Sequence, residues 1–255
     1  MGYAIVKMGH LNLWRESNDR QAQRDLLVMT STGITSLNIN EGRRHVDDVR
    51  DFCKNNPQWA FFTARNAKPH ASPNEMNNII LLRKDVWDAR NVYTRKMCNA
   101  TSGSPDRHML TVKADHKQSG RVFRHRCTHM NSHIEVPAWH RLPRFPQYQM
   151  HNLGLQDVMD TKGHIIDVLS MDLNANYRRK FVRTSPLYPY KPLRKLDVPC
   201  NYDILGTPPY GTKGNRLIDA FFAHEDEFEF VEHEIILGLN SDHNGLWVKG
   251  RVQVV

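Results

Sequence analysis

Apolar and polar positions along this chain fall into short blocks, most of them too brief for a long helix. Runs of four to eight residues rich in β-branched and aromatic side chains predict strands at Tyr3–Lys7, Leu26–Thr30, Ile34–Ile39, Ala60–Thr63, Asn78–Leu82, Met109–Lys113 and Val122–Cys127. The same pattern predicts strands at Ile165–Met171, Leu217–Ala223, Glu227–Leu237 and Gly245–Lys249. Helical spacing is confined to two segments. Arg43–Lys54 repeats Val46, Val49, Phe52 and Cys53 on one face, and Tyr148–Asp160 repeats Leu153, Leu155, Val158 and Met159. Ala64–Asn77 and the proline-rich Arg179–Lys213 read as long surface loops. Strands outnumber helices, which suits two packed sheets with helices outside them better than a strictly alternating parallel sheet. Residues 1–33 read as possible extra N-terminal strands ahead of that pattern.

Composition narrows this picture. With 255 residues, 40% hydrophobic and 24% charged, the chain has a globular composition and a length suited to one large α/β domain, taken here as residues 1–255, or to two small ones. The longest apolar runs, Ile79–Leu82 and Ile235–Leu237, are too short to cross a bilayer, and Met1–Met8 lacks the pattern of a signal peptide. No membrane role is expected, and a monomer is favoured. Cys53, Cys98, Cys127 and Cys200 form no close pair of the zinc-ribbon kind. They read as reduced thiols of a cytoplasmic protein, in a host's cytoplasm if the gene belongs to a phage. The net charge of +8 suits a partner carrying phosphate, and equally an ordinary basic surface.

Chemistry is concentrated in polar residues that interrupt or end apolar strands. Ser36-Leu37-Asn38-Ile39-Asn40 places asparagine inside a strand, where propensity disfavours it. The apolar run Ile165–Met171 ends on Asp172-Leu173-Asn174, and side chains two apart in a strand share a face. Asp219 sits in the apolar stretch Leu217–Phe222, and a buried carboxylate needs a partner. Thr128-His129 closes one strand, and Ser241-Asp242-His243 precedes the last. Singly, each is an ordinary turn or edge residue; their joint order carries the signal.

That order resembles the endonuclease/exonuclease/phosphatase superfamily of metal-dependent phosphodiesterases. Ser36–Asn40 looks like its first strand motif, Thr128-His129-Met130 like its threonine-histidine-leucine motif, and Met171–Ala175 like its Gly-Asp-x-Asn motif with Met171 in place of glycine. Arg216–Asp219 resembles its Arg-Ile-Asp-Tyr strand, and Ser241–His243 its terminal Ser-Asp-His. The resemblance implies a four-layer α/β/β/α sandwich built on two mostly antiparallel mixed sheets. It implies a hydrolase acting on DNA or RNA with Mg2+ or Mn2+, or one acting on a small phosphorylated molecule. By the same resemblance Asp172 orients or deprotonates the attacking water, Asn174 holds a phosphate oxygen, and Asn38 and Asp242 help hold the metal. His243, oriented by Asp219, and His129 contact the phosphate.

One departure stands out. The family carries a metal-binding glutamate after its second core strand, and Trp59–Thr63, taken as that strand, runs into Ala64-Arg65-Asn66. Glu41 and Glu75 are the nearest glutamates, neither at the position expected. Three alternatives follow: a site with fewer carboxylates, a substitute ligand, or a decayed centre that only binds nucleic acid. The histidines from His108 to His164 fit no zinc-ligand spacing except loosely His125, His129 and His133, which lie on or beyond an expected strand where residues four apart sit too far apart to chelate easily. Basic and aromatic residues interleave in Trp139–Phe145 and Tyr177–Phe181, which makes Arg178 and Arg179 candidate nucleic-acid contacts, with Arg216 as an auxiliary.

Overall fold

The computed structural model describes residues 2–13, 18–42, 45–63, 78–99, 107–130, 165–174, 218–223 and 227–255. Within them eleven strands form two sheets. The first sheet contains β1 (Tyr3–Asn12), β2 (Ser36–Asn40), β3 (Trp59–Thr63), β4 (Ile79–Arg83), β10 (Glu229–Ile236) and β11 (Gly245–Gln253), in the order β10-β11-β1-β2-β4-β3. The second contains β5 (Trp87–Cys98), β6 (Arg107–His116), β7 (Val122–His129), β8 (Ile165–Asp172) and β9 (Asp219–Ala223), in numerical order. Each sheet has one parallel pair, β1 with β2 and β7 with β8, flanked by antiparallel neighbours. This is the mixed two-sheet sandwich that the sequence implies.

The parallel β1–β2 pair needs a crossover, and helix α1 (Asp19–Ser31) supplies it. Leu26–Thr30 is therefore helical, against the strand expected from its apolar run. The reason is local. Asn18 and Gln21 form a reciprocal capping box, and Ala22, Asp25, Leu26 and Met29 bury one helical face. Residues 1–33 are accordingly not appended strands: β1 lies inside the six-stranded sheet and α1 packs on it. Helix α2 (Val46–Asn55) realises the amphipathic segment expected at Arg43–Lys54 and packs beside α1. Gly245 permits the close approach of α1, since a Cβ there would lie 2.3 Å from Met29 Sδ.

Two apolar layers follow from strand alternation. On the outer face of the first sheet, Leu11, Leu37, Ile39 and Leu81 pack under Leu26, Met29, Val49 and Phe52 of the helices. Between the sheets, Val6, Met8, Ile80, Val112, Phe123, Val168, Phe221 and Val248 form the main core. Each such side chain contributes about 1.5–3 kcal/mol on full burial. Strand β5 was not foreseen. It is a long edge strand whose residues Asp88–Lys96 are mostly exposed and charged, so it carries no apolar signature. The expected helix at Tyr148–Asp160 and the expected loops at Ala64–Asn77 and Arg179–Lys213 lie outside the described residues. Cys53, Cys98 and Cys127 are buried free thiols, as expected for those three. No described helix is long and apolar enough to cross a membrane.

Candidate functional site

The inter-sheet face of several strands changes character along its length. On β1 the inward sequence Ala4, Val6, Met8 gives way to His10 and Asn12; on β8, Ile166 and Val168 give way to Ser170 and Asp172. Strand β7 ends on His129, and β9, antiparallel to β8, begins on Asp219 opposite Asp172. Parallel pairing brings the C-terminal ends of β1 and β2 to one edge, with Asn12 beside Asn40, and brings His129 beside Asp172 on β7 and β8. The polar ends of both sheets therefore meet at one end of the sandwich.

Asp172 is the hub. Its Oδ2 accepts from Asn12 Nδ2 at 3.0 Å, lies 3.3 Å from His129 Nε2 and 4.0 Å from His243 Nε2. Its Oδ1 accepts from the Asn174 backbone at 2.7 Å, and Asn40 Oδ1 accepts from the Asp172 backbone at 2.9 Å. Asn174 adopts a left-handed φ of 52°, which asparagine tolerates, and its side chain donates to Met130 O at 2.9 Å. Glu41 also holds a left-handed φ, 54°, where a non-glycine residue is strained. Its Oε1 lies 3.1 Å from His129 Nε2 and 3.5 Å from Asn12 Nδ2. Burial pushes the Glu41 carboxyl up, but the hydrogen bond and charge of His129, with His243 and Asn12, outweigh it and bring it down to about 2.

The sequence motifs made β2 the first core strand, with Glu41 off the expected position. The structure puts β1 before it in the sheet, so β2 is the second, and Glu41 follows it directly. Asn12, unnoticed in the sequence, closes β1 and touches both carboxylates. The available signal was the alternation Ala4, Val6, Met8 running into His10-Leu11-Asn12, a longer strand than Tyr3–Lys7. Asn38 sits one layer deeper, 3% exposed, donating to Arg126 O at 3.0 Å and Ser170 Oγ at 2.9 Å. It is not among the groups around Asp172.

The remaining residues are fixed by neighbours. His243 Nδ1 meets Asp219 Oδ2 at 2.8 Å, the pair that the resemblance implied. Burial pushes the Asp219 carboxyl up, and the imidazoles of His243 and His10 more than offset this, holding it well below the usual carboxylate range. The loop carrying His243 is anchored by Asp25 of α1, whose carboxylate accepts from the backbones of Asn240 at 2.9 Å and Ser241 at 3.0 Å. Ser241 Oγ donates to Asn12 O at 2.5 Å. Asp242 lies at the rim, 3.8 Å from His243 Nε2. Buried Arg107, a residue the sequence did not single out, reaches His129 Nδ1 at 3.0 Å. Arginine only donates, so Nδ1 accepts and Nε2 carries the proton towards Glu41 and Asp172. Burial and Arg107 oppose a second proton on His129, the two carboxylates favour it, and the net shift is upward. Arg178, Arg179 and Arg216 lie outside the described residues.

Among the described residues two groups have the donor atoms of a metal site: Glu41, His129 and Asp172, and Asp172, Asp219 and His243, with ligand atoms in each within 4.8 Å of one another. The first suits a hard divalent cation: it offers two carboxylates, and the Asn12 side chain that bonds both of them through Nδ2 has a buried Oδ1 without a hydrogen-bond partner.

The arrangement of two mixed sheets is the fold of endonuclease/exonuclease/phosphatase proteins. Over the full length of both chains it matches such a protein from Bacteroides thetaiotaomicron with a TM-score of 0.74 at 12% identity. It also matches the mannosyl-6-phosphatase Bt3783 of the same organism (TM-score 0.71, 13% identity, 96% of this chain and 99% of that one). A third match is TDP2 of D. rerio, solved with a single-strand DNA product (TM-score 0.67, 15% identity, 97% and 99%). No family model and no curated protein matches the sequence.

Proposed function

We propose that this chain is a metal-dependent phosphodiesterase of the endonuclease/exonuclease/phosphatase superfamily, acting on DNA or RNA. The observation that carries the reading is the convergence of Asn12, Glu41, His129, Asp172, Asp219 and His243, from six separate segments, on one buried end of the sandwich. Glu41, at the end of the second core strand and beside His129 and Asp172, supports a working centre over a decayed one. The net charge of +8 favours a polyanionic substrate over a small one.

Glu41, Asn12 through its amide oxygen and Asp242 at the rim would hold Mg2+ or Mn2+. That cation would supply charge stabilisation for the phosphoryl oxygens. Asp172 takes the proton of the attacking water as its oxygen bonds phosphorus and the phosphorus–oxygen bond to the leaving group breaks; the leaving oxygen takes a proton from solvent. Its carboxylate is held by Asn12 and the Asn174 backbone, so it meets the water without reorganising. Nε2 of His243, directed away from the Asp219 bond, and Nε2 of His129 face the space beside Asp172; there the Nε2–H of His129, and that of His243 once its ring carries a second proton, donate to a phosphate oxygen.

The test is cleavage of labelled single- and double-stranded DNA and RNA, alongside small phosphoesters, with Mg2+ or Mn2+ and then with chelator. Turnover lost on chelation and in Asp172→Ala is expected. Equal residual cleavage by wild type and Asp172→Ala would sink the reading, and turnover of small phosphoesters that nucleic acid fails to inhibit would reassign the substrate.

A further inference from the structure

The Asp219 carboxylate serves two imidazoles. His243 takes Oδ2, and His10 Nε2 lies 3.2 Å from Oδ1. His10 is on β1, beside Asn38 of β2, and is 1% exposed. Its other nitrogen, Nδ1, lies 2.9 Å from Ser170 Oγ, and Ser170 Oγ lies 2.9 Å from Asn38 Nδ2.

The proton positions in this chain follow from its two ends, the Asn38 amide and the acceptor-only Asp219 carboxylate. Both N–H groups of Asn38 are committed, one to the carbonyl of Arg126 and one to Ser170 Oγ. The reversed amide would set its oxygen against that carbonyl, so the orientation is determined. Ser170 Oγ accepts from Asn38, and because the Asp219 carboxylate can only accept, neutral His10 donates from Nε2 and its Nδ1 takes the Ser170 proton. With Nδ1 accepting, His10 carries its proton on Nε2 and donates it to Asp219 Oδ1. The carboxylate then has Oδ2 turned to His243, which must place its proton on Nδ1 and leave Nε2 directed at the site. Every donor in the series has one acceptor, and all the side chains are at most 3% exposed.

We propose that His10 is a positioning residue: through the series Asn38–Ser170–His10–Asp219 it fixes the rotation of the Asp219 carboxylate and hence the tautomer and aim of His243. This rests on the function proposed above, with His243 contacting the phosphate, and it assigns a task to Asn38 that differs from the metal ligation the sequence suggested. The Nδ2 of this polar residue inside a strand finds its partners at the fixed end of the series, while its buried Oδ1 has none among the described residues.

His10→Leu removes the donor with a side chain that the apolar neighbour Phe221, 6.3 Å away ring to ring, accepts. His10→Gln restores an N–H towards Asp219. Ser170→Ala leaves His10 in place but frees its Nδ1. The first readout is the 15N spectrum of the imidazoles, which reports tautomers without turnover. His243 is expected as the Nδ1–H form in wild type and His10→Gln, and as a mixture in His10→Leu and Ser170→Ala. The second is kinetic: kcat falls about 10- to 100-fold in His10→Leu with KM within about twofold, and His10→Gln recovers most of it. His10→Leu with His243→Gln is expected to be no slower than His243→Gln alone, since the one acts through the other. A folded His10→Leu protein with an unchanged His243 spectrum and full turnover overturns the proposal. A wild type that turns over no phosphoester sinks the function reading, and the spectra then decide the positioning role alone.

Discussion

His10, His129 and His243 lie at one end of the inter-sheet layer, His116 and His125 towards the other, and all five are at most 3% exposed. At the first end each ring has a carboxylate: Asp219 for His10 and His243, Asp172 and Glu41 for His129. At the second end the neighbours are aromatic. Trp87 lies 4.5 Å from His125 and 4.7 Å from His116, ring to ring, with Phe123 stacked on His125 at 5.8 Å. His125 Nε2 and Trp87 Nε1 find no hydrogen-bond partner among the described residues. Burial, with His116 beside it, pushes the His125 imidazole down to about 3, whereas His129 is shifted up. Equal burial thus gives opposite electrostatics, and the facing side chains, not depth, decide which imidazoles can serve chemistry.

The sharpest way to break this contrast is to remove a carboxylate from the first end. Glu41→Gln keeps the shape and the contact with Asn12 but deletes the charge facing His129. Turnover is expected to fall on the order of 100- to 1000-fold, with weaker Mn2+ binding by calorimetry. His125→Leu, at the other end, should leave turnover within about twofold. If His125→Leu costs as much turnover as Glu41→Gln, the division of the layer into a chemical end and a packing end is wrong.

A smaller effect is expected from Asp25→Ala. It removes a buried carboxylate that accepts from the backbones of Asn240 and Ser241, and such charged hydrogen bonds contribute about 1.5–3 kcal/mol. Chemical denaturation should show a loss of about 2 kcal/mol. Turnover should fall as well, because the loop holds His243 in place; stability loss with unaltered turnover would separate the loop from the site.

The fold was more legible than the site. Strands buried on a face, such as β4, β7 and β8, announce themselves as apolar runs; β5 does not, because an edge strand exposed along most of its length has nothing to alternate. Leu26–Thr30 misled because five residues of apolar run cannot distinguish strand from helix, and the deciding cap at Asn18 and Gln21 lies upstream. At the site, Asp172 and Asp219 could be singled out from their strands, and His243 from the motif ahead of the last strand. Glu41 could not be placed, because its meaning depends on which strand is second in the sheet, and parallel pairing across α1 is not written in any short segment. Arg107 and His10 act only through other side chains, so no linear pattern marks them.

Acid tests the second end. The His125 imidazole titrates at about 3 in the folded protein against 6.5 for the free group, so it stays neutral in the fold while the unfolded chain takes up a proton. Its contribution is complete above 6.5 and is lost progressively as pH falls from 6.5 towards 3. Stability should drop by about 2 kcal/mol between pH 7 and pH 5, and His125→Leu should flatten that slope. Glu41, at about 2 against 4.5, contributes above 4.5 and loses its contribution only as pH falls from there towards 2. The two ends therefore fail in different windows. A His125→Leu protein with the wild-type slope between pH 7 and pH 5 would show that another group governs it.

The finest comparison is between two serines. Ser119 Oγ lies 2.8 Å from His116 Nδ1, and Ser170 Oγ lies 2.9 Å from His10 Nδ1; both serines are fully buried, and each hydrogen-bonds a buried imidazole. As hydrogen bonds they are equivalent, and either alanine variant should cost about 1 kcal/mol in denaturant titrations. They differ in what the far side of the ring touches. Behind His116 is the Trp87 ring, which has no protonation state to transmit; behind His10 is Asp219, and behind that His243. Ser170→Ala should therefore slow turnover several-fold beyond its stability cost, and Ser119→Ala should not. Parallel losses of turnover would mean that general loosening of the layer, and not the series of donors leading to His243, sets the rate.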